Sequence, residues 1–178
     1  TTVRNIGEAL RSNENAKVNL DLSETTGLEN IPSWAFEDCT SLTNIKIPTS
    51  VTSIDTGTFM GCTGLTDVEF LANVRTISGA MFRECTSLTC IKIPESVRII
   101  DNAAFYKCTS LTNIELPESV ISIDNYVFYE CTSLTNIEIS ESVTKIGRSV
   151  FYGCSSLTTV NYMSTIEQWK KIDISEIE

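Results

Sequence analysis

The residues best suited to chemistry in this chain are its seven cysteines, which can ligate a soft metal, pair as disulfides or act as nucleophiles. Six stand at Cys39, Cys62, Cys85, Cys108, Cys131 and Cys154, each 23 positions after the one before. One thiol per 23 residues, with no Cys-x-x-Cys pair, does not assemble four tetrahedral ligands, so no metal site is expected. A nucleophile needs a base beside it, and the chain has no histidine, which removes Ser-His pairs, Cys-His pairs and imidazole ligands together. Asp and Glu number 23, but no spacing places two of them in a cleft whose desolvation would raise the pKa of a general acid. No catalytic residue, no cofactor and no enzymatic activity are expected.

The spacing of 23 has a structural meaning instead. It is shared by Phe36, Phe59, Phe82, Phe105, Phe128 and Phe151, and by Leu42, Leu65, Leu88, Leu111, Leu134 and Leu157. A third column is Ile31, Ile54, Ile77, Ile100, Ile123 and Ile146. Self-similarity at a fixed short period marks a solenoid of stacked modules, since no single module buries its apolar face alone. Within one module, Leu42 to Ile47 alternates so that Ile45 and Ile47 point inward while Asn44 and Lys46 face solvent, the pattern of one short strand. Pro48, Pro94 and Pro117 end that strand at little cost to a ladder. The stretch from Val51 to Cys62 is too short for a regular helix and predicts a brief second strand plus a 3₁₀ or single-turn segment carrying Phe59 inward. Coils at ~4.8 Å spacing would stack to ~30 Å, with the parallel ladder on one side and the short segments on the other.

Both ends read as caps. Val3, Ile6 and Leu10 predict an amphipathic helix over roughly residues 2–12, followed by a degenerate strand at Val18 to Leu22. The first module is longer by two residues, inserted near Thr25 to Gly27. Ser164 to Glu167 predicts a capping box and a short helix whose Ile166 and Trp169 face the last coil. The expected organisation is a single domain over 1–178: a cap and degenerate repeat in 1–30, six repeats in 31–163, and a cap in 164–178.

Three surface features are candidates for function. Cys90 falls in the outward column of Asn44, Asp67 and Asn113, which predicts a lone exposed thiol. The other cysteines should be buried and reduced, because a disulfide needs Cβ atoms about 3.5–4.5 Å apart, closer than the coil spacing. The second outward column runs Asp21, Lys46, Glu69, Lys92, Glu115, Glu138, Asn161. It reads as a ladder of exposed ion pairs, or as an acidic patch at Glu115 and Glu138 that receives a basic partner segment. Tyr106, Tyr129 and Tyr152 share the column after Phe, with Tyr126 close by, and form either half-buried packing between coils or an aromatic contact surface. The rows of Thr43 and Thr40 type are expected to be structural, the latter closing a turn on neighbouring backbone. A net charge of -10 with no basic cluster excludes nucleic acid and anionic membranes as natural partners. No apolar run reaches ~18 residues, and Thr1 opens no leader pattern, so neither a span nor an export signal is expected within the chain.

The module Ala35-Phe36-x-x-Cys39-Thr40-Ser41-Leu42-x-x-Ile45-x-Ile47-Pro48-x-Ser50-Val51-x-x-Ile54 resembles the BspA-like, or treponemal-type, leucine-rich repeat over about residues 18–163. It departs at Leu71, Ser140 and Met163 in the proline column and at Gly64 in the serine column. The resemblance implies a leucine-rich-repeat solenoid, secreted or displayed on the bacterial surface, that acts as an adhesin toward host matrix proteins, host cells or other bacteria. A monomer binding a protein ligand is expected, with a passive spacer or a carbohydrate-binding solenoid as the alternatives. The resemblance carries no fixed set of binding residues.

Overall fold

The computed structural model describes residues 2–174. Thr1 and residues 175–178, which the expected bounds 1–178 and 164–178 include, lie outside the described residues. The chain winds into a parallel-strand solenoid of about six coils. Helix α1 (Thr2–Arg11) precedes it, as the apolar spacing predicts. Each coil then repeats the same path: an extended segment that is a regular strand in most coils, a turn, a two-residue strand, and a double turn that returns to the next extended segment.

The longer strands are β1 (Val18–Asp21), β3 (Leu42–Ile47), β5 (Asp67–Phe70), β9 (Asn136–Ile139) and β11 (Thr159–Tyr162). The two-residue strands of the second ladder are β2 (Asn30–Ile31), β4 (Ser53–Ile54), β6 (Thr76–Ile77), β7 (Ile99–Ile100), β8 (Ser122–Ile123), β10 (Lys145–Ile146) and β12 (Asp173–Ile174). All pairings are parallel. The expectation of one strand per repeat holds only at the two ends of the first ladder. Between β5 and β9 it narrows to an isolated bridge between Lys92 and Glu115, although Ile91 and Ile114 stay buried. The gap begins after Phe70, where the inward column carries a ring that turns edge-on to Phe82 at 6.4 Å.

The apolar columns meet along the axis. Phe36, Phe59, Phe82, Phe105, Phe128 and Phe151 stack with centroids 5.4–5.9 Å apart. Beside them each thiol is a hydrogen-bond donor rather than a mere filler. Cys62 Sγ–H donates to the Phe36 carbonyl of the previous coil at 2.9 Å, and that oxygen also accepts the Cys39 N–H at 3.1 Å. The bond recurs from Cys85, Cys108, Cys131 and Cys154 at 3.0–3.1 Å. Cysteine is thus small enough for the corner and saturates the second lone pair of a buried carbonyl.

Hydroxyls sew the outer edges. Thr43, Thr66, Thr112, Thr135 and Thr158 each donate to a carbonyl of the preceding coil. Ser50, Ser96, Ser119 and Ser142 do the same at the opposite edge. The Thr40 column differs from expectation: Thr132 reaches back one coil to Thr109 O rather than closing its own turn.

The expected brief second strand is present, and of the two segments expected after it, a 3₁₀ helix or a single turn, the structure has turns. The double turn contains two left-handed positions per coil: Trp34, Gly57, Ala80, Ala103, Tyr126 and Ser149 in one column, Asp38, Gly61, Glu84, Lys107, Glu130 and Gly153 in the other. These conformations cost an L-residue about 1–2 kcal/mol each. They aim the intervening N–H groups forward, so that Phe59 N bonds Met81 O and Gly61 N bonds Arg83 O in the next coil, at 2.9 and 2.8 Å.

At the end, α2 (Ile166–Trp169) begins with a capping box one residue later than expected, closed between Thr165 and Gln168 rather than Ser164 and Glu167. Trp169 packs edge-on against Tyr162 at 5.2 Å. Ile166 does not face the last coil: it is 63% exposed, because a single turn of helix presents only one position inward and Trp169 takes it.

Candidate surface for partner binding

The tyrosine column comes together as a stack. Tyr106, Tyr129 and Tyr152 lie face to face at 4.8 Å, and Tyr126 meets Tyr129 edge-on at 5.9 Å. The Arg83 guanidinium covers the free face of Tyr106 at 4.6 Å, and Arg148 lies 5.2 Å from the Tyr126 centroid. Burial between neighbours, then the nearby Tyr152 and Glu130, raise the Tyr129 phenol above its ordinary value. Rings stacked on one another offer edges and hydroxyls, not the open faces on which sugars stack. Of the three stacked rings, Tyr152, at 61% exposure, is the one whose outer face neither a ring nor a guanidinium covers among the described residues.

The strand face presents the other candidates. Of the predicted charge ladder, Lys46 and Glu69 form an ion pair at 3.3 Å. The remaining ion pairs among the described residues lie elsewhere, at Arg83–Glu84, Lys107–Glu130, Lys145–Asp124 and Lys170–Glu167. Glu115 and Glu138 therefore stand side by side without a cation within ion-pair distance among the described residues. They border a groove of about 440 Å³ whose wall also includes Glu118 and whose apolar part is Ile114, Leu116 and Met163. A second hollow, of about 330 Å³, continues it past Glu115 and Glu118 toward Lys92 and Glu95. Sequence reasoning missed Glu118, Leu116 and Met163. The glutamate had a signal, since Glu95, Glu118 and Glu141 recur at the repeat period; so did the groove, since Ser140 and Met163, both departures from the proline column, line it. The groove and the tyrosine stack share no residue.

Cys90 is exposed, as its column predicts, and all seven cysteines are free thiols. Cys39, Cys62, Cys85, Cys108 and Cys131 are buried, and Cys154 is half-buried. Burial pushes the Cys39 thiol up to about 11 and those of Cys62, Cys108 and Cys131 higher still, so they stay protonated and unreactive. Thiol labelling of the native chain is therefore expected to modify Cys90 rapidly and the column slowly or not at all, with seven thiols released on unfolding; rapid native labelling of two or more would contradict the packing of the column.

A family model for the BspA-type leucine-rich repeat region matches residues 1–98 and 57–173, six copies in all. The chain belongs to that family. Among solved structures, this BspA-type domain is similar to a leucine-rich repeat protein of T. pallidum, at 32% identity over 82% of this chain and 69% of the other, with a TM-score of 0.76. It is also similar to a leucine-rich cell surface protein of Faecalibacterium prausnitzii, at 29% identity over 92% of this chain, with a TM-score of 0.61. A third is a leucine-rich repeat protein of Eubacterium ventriosum, at 25% identity over 73% of this chain and TM-score 0.63. The chain spans only 37% and 41% of the latter two. No curated protein matches it. No helix among the described residues is long and apolar enough to cross a membrane. The BspA-type repeats place this domain among bacterial leucine-rich-repeat proteins, of which the F. prausnitzii one is described as a cell surface protein.

Proposed function

We propose that this domain is a bacterial surface adhesin whose strand face holds a basic segment of a host matrix protein, a host-cell protein or another bacterium. The observation that carries the reading is the groove at Glu115, Glu118 and Glu138, where adjacent coils set carboxylates side by side over an apolar floor. Like charges held together in a hollow gain most when a Lys or Arg replaces water between them, and the floor of Leu116 and Met163 rewards an apolar side chain next to the base. The module acts by binding, without a chemical step. Display on the cell surface, as in the F. prausnitzii relative, agrees with such a role.

The test is binding of the purified domain to an array of host matrix glycoproteins and glycans at low and physiological salt. A saturable protein ligand is expected. Glu115→Gln combined with Glu138→Gln should weaken it about tenfold at low salt and less at high salt, where screening already reduces the attraction. Tyr129→Ala, on the separate aromatic stripe, should leave it nearly unchanged. Equal loss from both variants would move the site to the tyrosines, and silence across the array would favour a spacer.

A further inference from the structure

We infer that the second-ladder face around Arg75 and Arg98 is a self-association surface, which sets its arginines into the glutamate-lined groove of a second copy of this chain. The two arginines stand in one column of consecutive coils, each just ahead of a two-residue strand, β6 and β7. Within residues 31–163 no other column holds two basic residues one coil apart. The backbone fixes them as neighbours: Arg98 N–H bonds Arg75 O at 2.8 Å, and Ile121 N–H bonds Arg98 O at 2.8 Å. Both arginines are exposed, and neither has a carboxylate within ion-pair distance among the described residues.

Most other cations are engaged. Five side chains are held in ion pairs, and Arg148 lies against the Tyr126 ring. Arg11 donates to Glu37 O and, with the Cys39 bond to Gly7 O, seals α1 over the first coil. Beside the free arginines lie two exposed isoleucines. Ile121 continues their column at 38% exposure, and Ile99 follows Arg98 at 36%. In the coils on either side the Arg75 column holds threonine, at Thr52 and Thr144. Two unpaired guanidiniums next to a pair of exposed apolar side chains make a surface suited to a partner rather than to water.

Charge and spacing select the occupant. Guanidiniums pair best with carboxylates, and the unpaired carboxylates gather at the groove, where Glu95, Glu118 and Glu141 follow the strands beside Glu115 and Glu138. The arginine column and the glutamate columns both run along the solenoid axis at the coil repeat, about 4.8 Å. Two solenoids side by side with their axes aligned therefore set arginines one coil apart opposite glutamates one coil apart. A partner of another fold would have to reproduce that spacing side chain by side chain. Ile99 and Ile121 then meet Leu116 in the apolar part of the groove. A single exposed ion pair contributes little. A row of them around an apolar centre, held on rigid coils, excludes water from several at once. Two copies of net charge -10 repel through most of their surfaces, and this contact is where opposite charges meet. The inference rests on the reading of the groove as an acceptor of basic side chains, and it departs from the monomer expected from the sequence.

The experiment is sedimentation velocity on the full chain at physiological salt over a wide concentration series. Reversible, concentration-dependent association is expected. Arg75→Glu with Arg98→Glu, and separately Glu115→Lys with Glu118→Lys, should each weaken it at least about tenfold. All four positions are exposed, so the fold should survive both changes. An equimolar mixture of the two variants should associate again, because the reversed arginine column of one then faces the reversed groove of the other. Lys17→Glu with Lys171→Glu, which alters net charge as much as the arginine variant at exposed sites elsewhere, should leave association unchanged. A mixture that stays monomeric overturns the inference, as does association indifferent to the arginine variant or weakened equally by the Lys17 and Lys171 pair. A wild-type chain that is monomeric at every concentration overturns it even where the array yields a host ligand, and rescue in the mixture supports it even where the array is silent.

Discussion

Replacing Phe105 with alanine is expected to lower the unfolding free energy by about 3–5 kcal/mol, the range for truncating a large core aromatic. The ring is fully buried and lies between Phe82 at 5.4 Å and Phe128 at 5.7 Å. Collapse into the vacated space is opposed by the backbone, since Phe105 N–H is bonded to Val127 O at 3.0 Å. Its carbonyl is held in turn by the Cys108 N–H and the Cys131 Sγ–H, each at 3.1 Å. The cavity therefore persists, and it sits in the middle of a stack whose stability is a sum of neighbour contacts. Chemical denaturation should show the midpoint falling, and a shallower transition if the two halves of the stack separate. Phe151→Ala, at the half-buried end of the column, should cost clearly less. A loss at Phe105 below about 1 kcal/mol would mean that the column is not the interior of the solenoid.

The column of phenylalanines was readable because burial repeats with the coil. A position that faces inward does so six times, and six coincidences at one spacing outweigh the ambiguity of any single residue. The same logic exposed the caps, where the period fails, and Cys90, the cysteine outside the column. The left-handed positions were not readable for the converse reason. Their usual sign is glycine, but one column holds it only at Gly57 and the other at Gly61 and Gly153; the rest include residues as unlike glycine as Trp34, Tyr126, Glu84 and Lys107. There the conformation is imposed by forward hydrogen bonds to the next coil, a tertiary cause that leaves little local signature. Ile166 failed differently: in a one-turn helix two apolar residues three apart do not make a stripe, and burial follows whichever reaches the coil. At the candidate groove, Glu115 and Glu138 stood out as an outward pair, whereas Glu118, Leu116 and Met163 come from the turns after the strands, and the departures at Ser140 and Met163 mark the place without giving the shape of the hollow they line.

The seal over the first coil gives the last expected result: Gly7→Ala should loosen α1 and turn Cys39 into a second reactive thiol. Helix propensity alone favours this change by up to about 1 kcal/mol, so any destabilisation must come from packing. A β-carbon at Gly7 would overlap the Ala35 carbonyl oxygen, a backbone atom held in the first coil, and cannot be accommodated without moving the helix outward. Overpacking of this kind costs about 1–3 kcal/mol. Only the cap depends on that contact, so the penalty should appear as local opening while the coils beyond it keep their stability. Opening breaks the Cys39 Sγ–H bond to Gly7 O and readmits water to a thiol that burial had pushed up to about 11. The thiolate fraction rises as that pKa falls back, and labelling at Cys39 should accelerate about tenfold to a hundredfold over the wild type, following the population of the open cap. Cys62, one coil further in and donating to Phe36 O, should remain protected. Asn5→Ala, on the exposed side of the same helix, should leave Cys39 silent. If Gly7→Ala leaves Cys39 unlabelled, the helix does not close the solenoid, and the first coil is protected by its own packing.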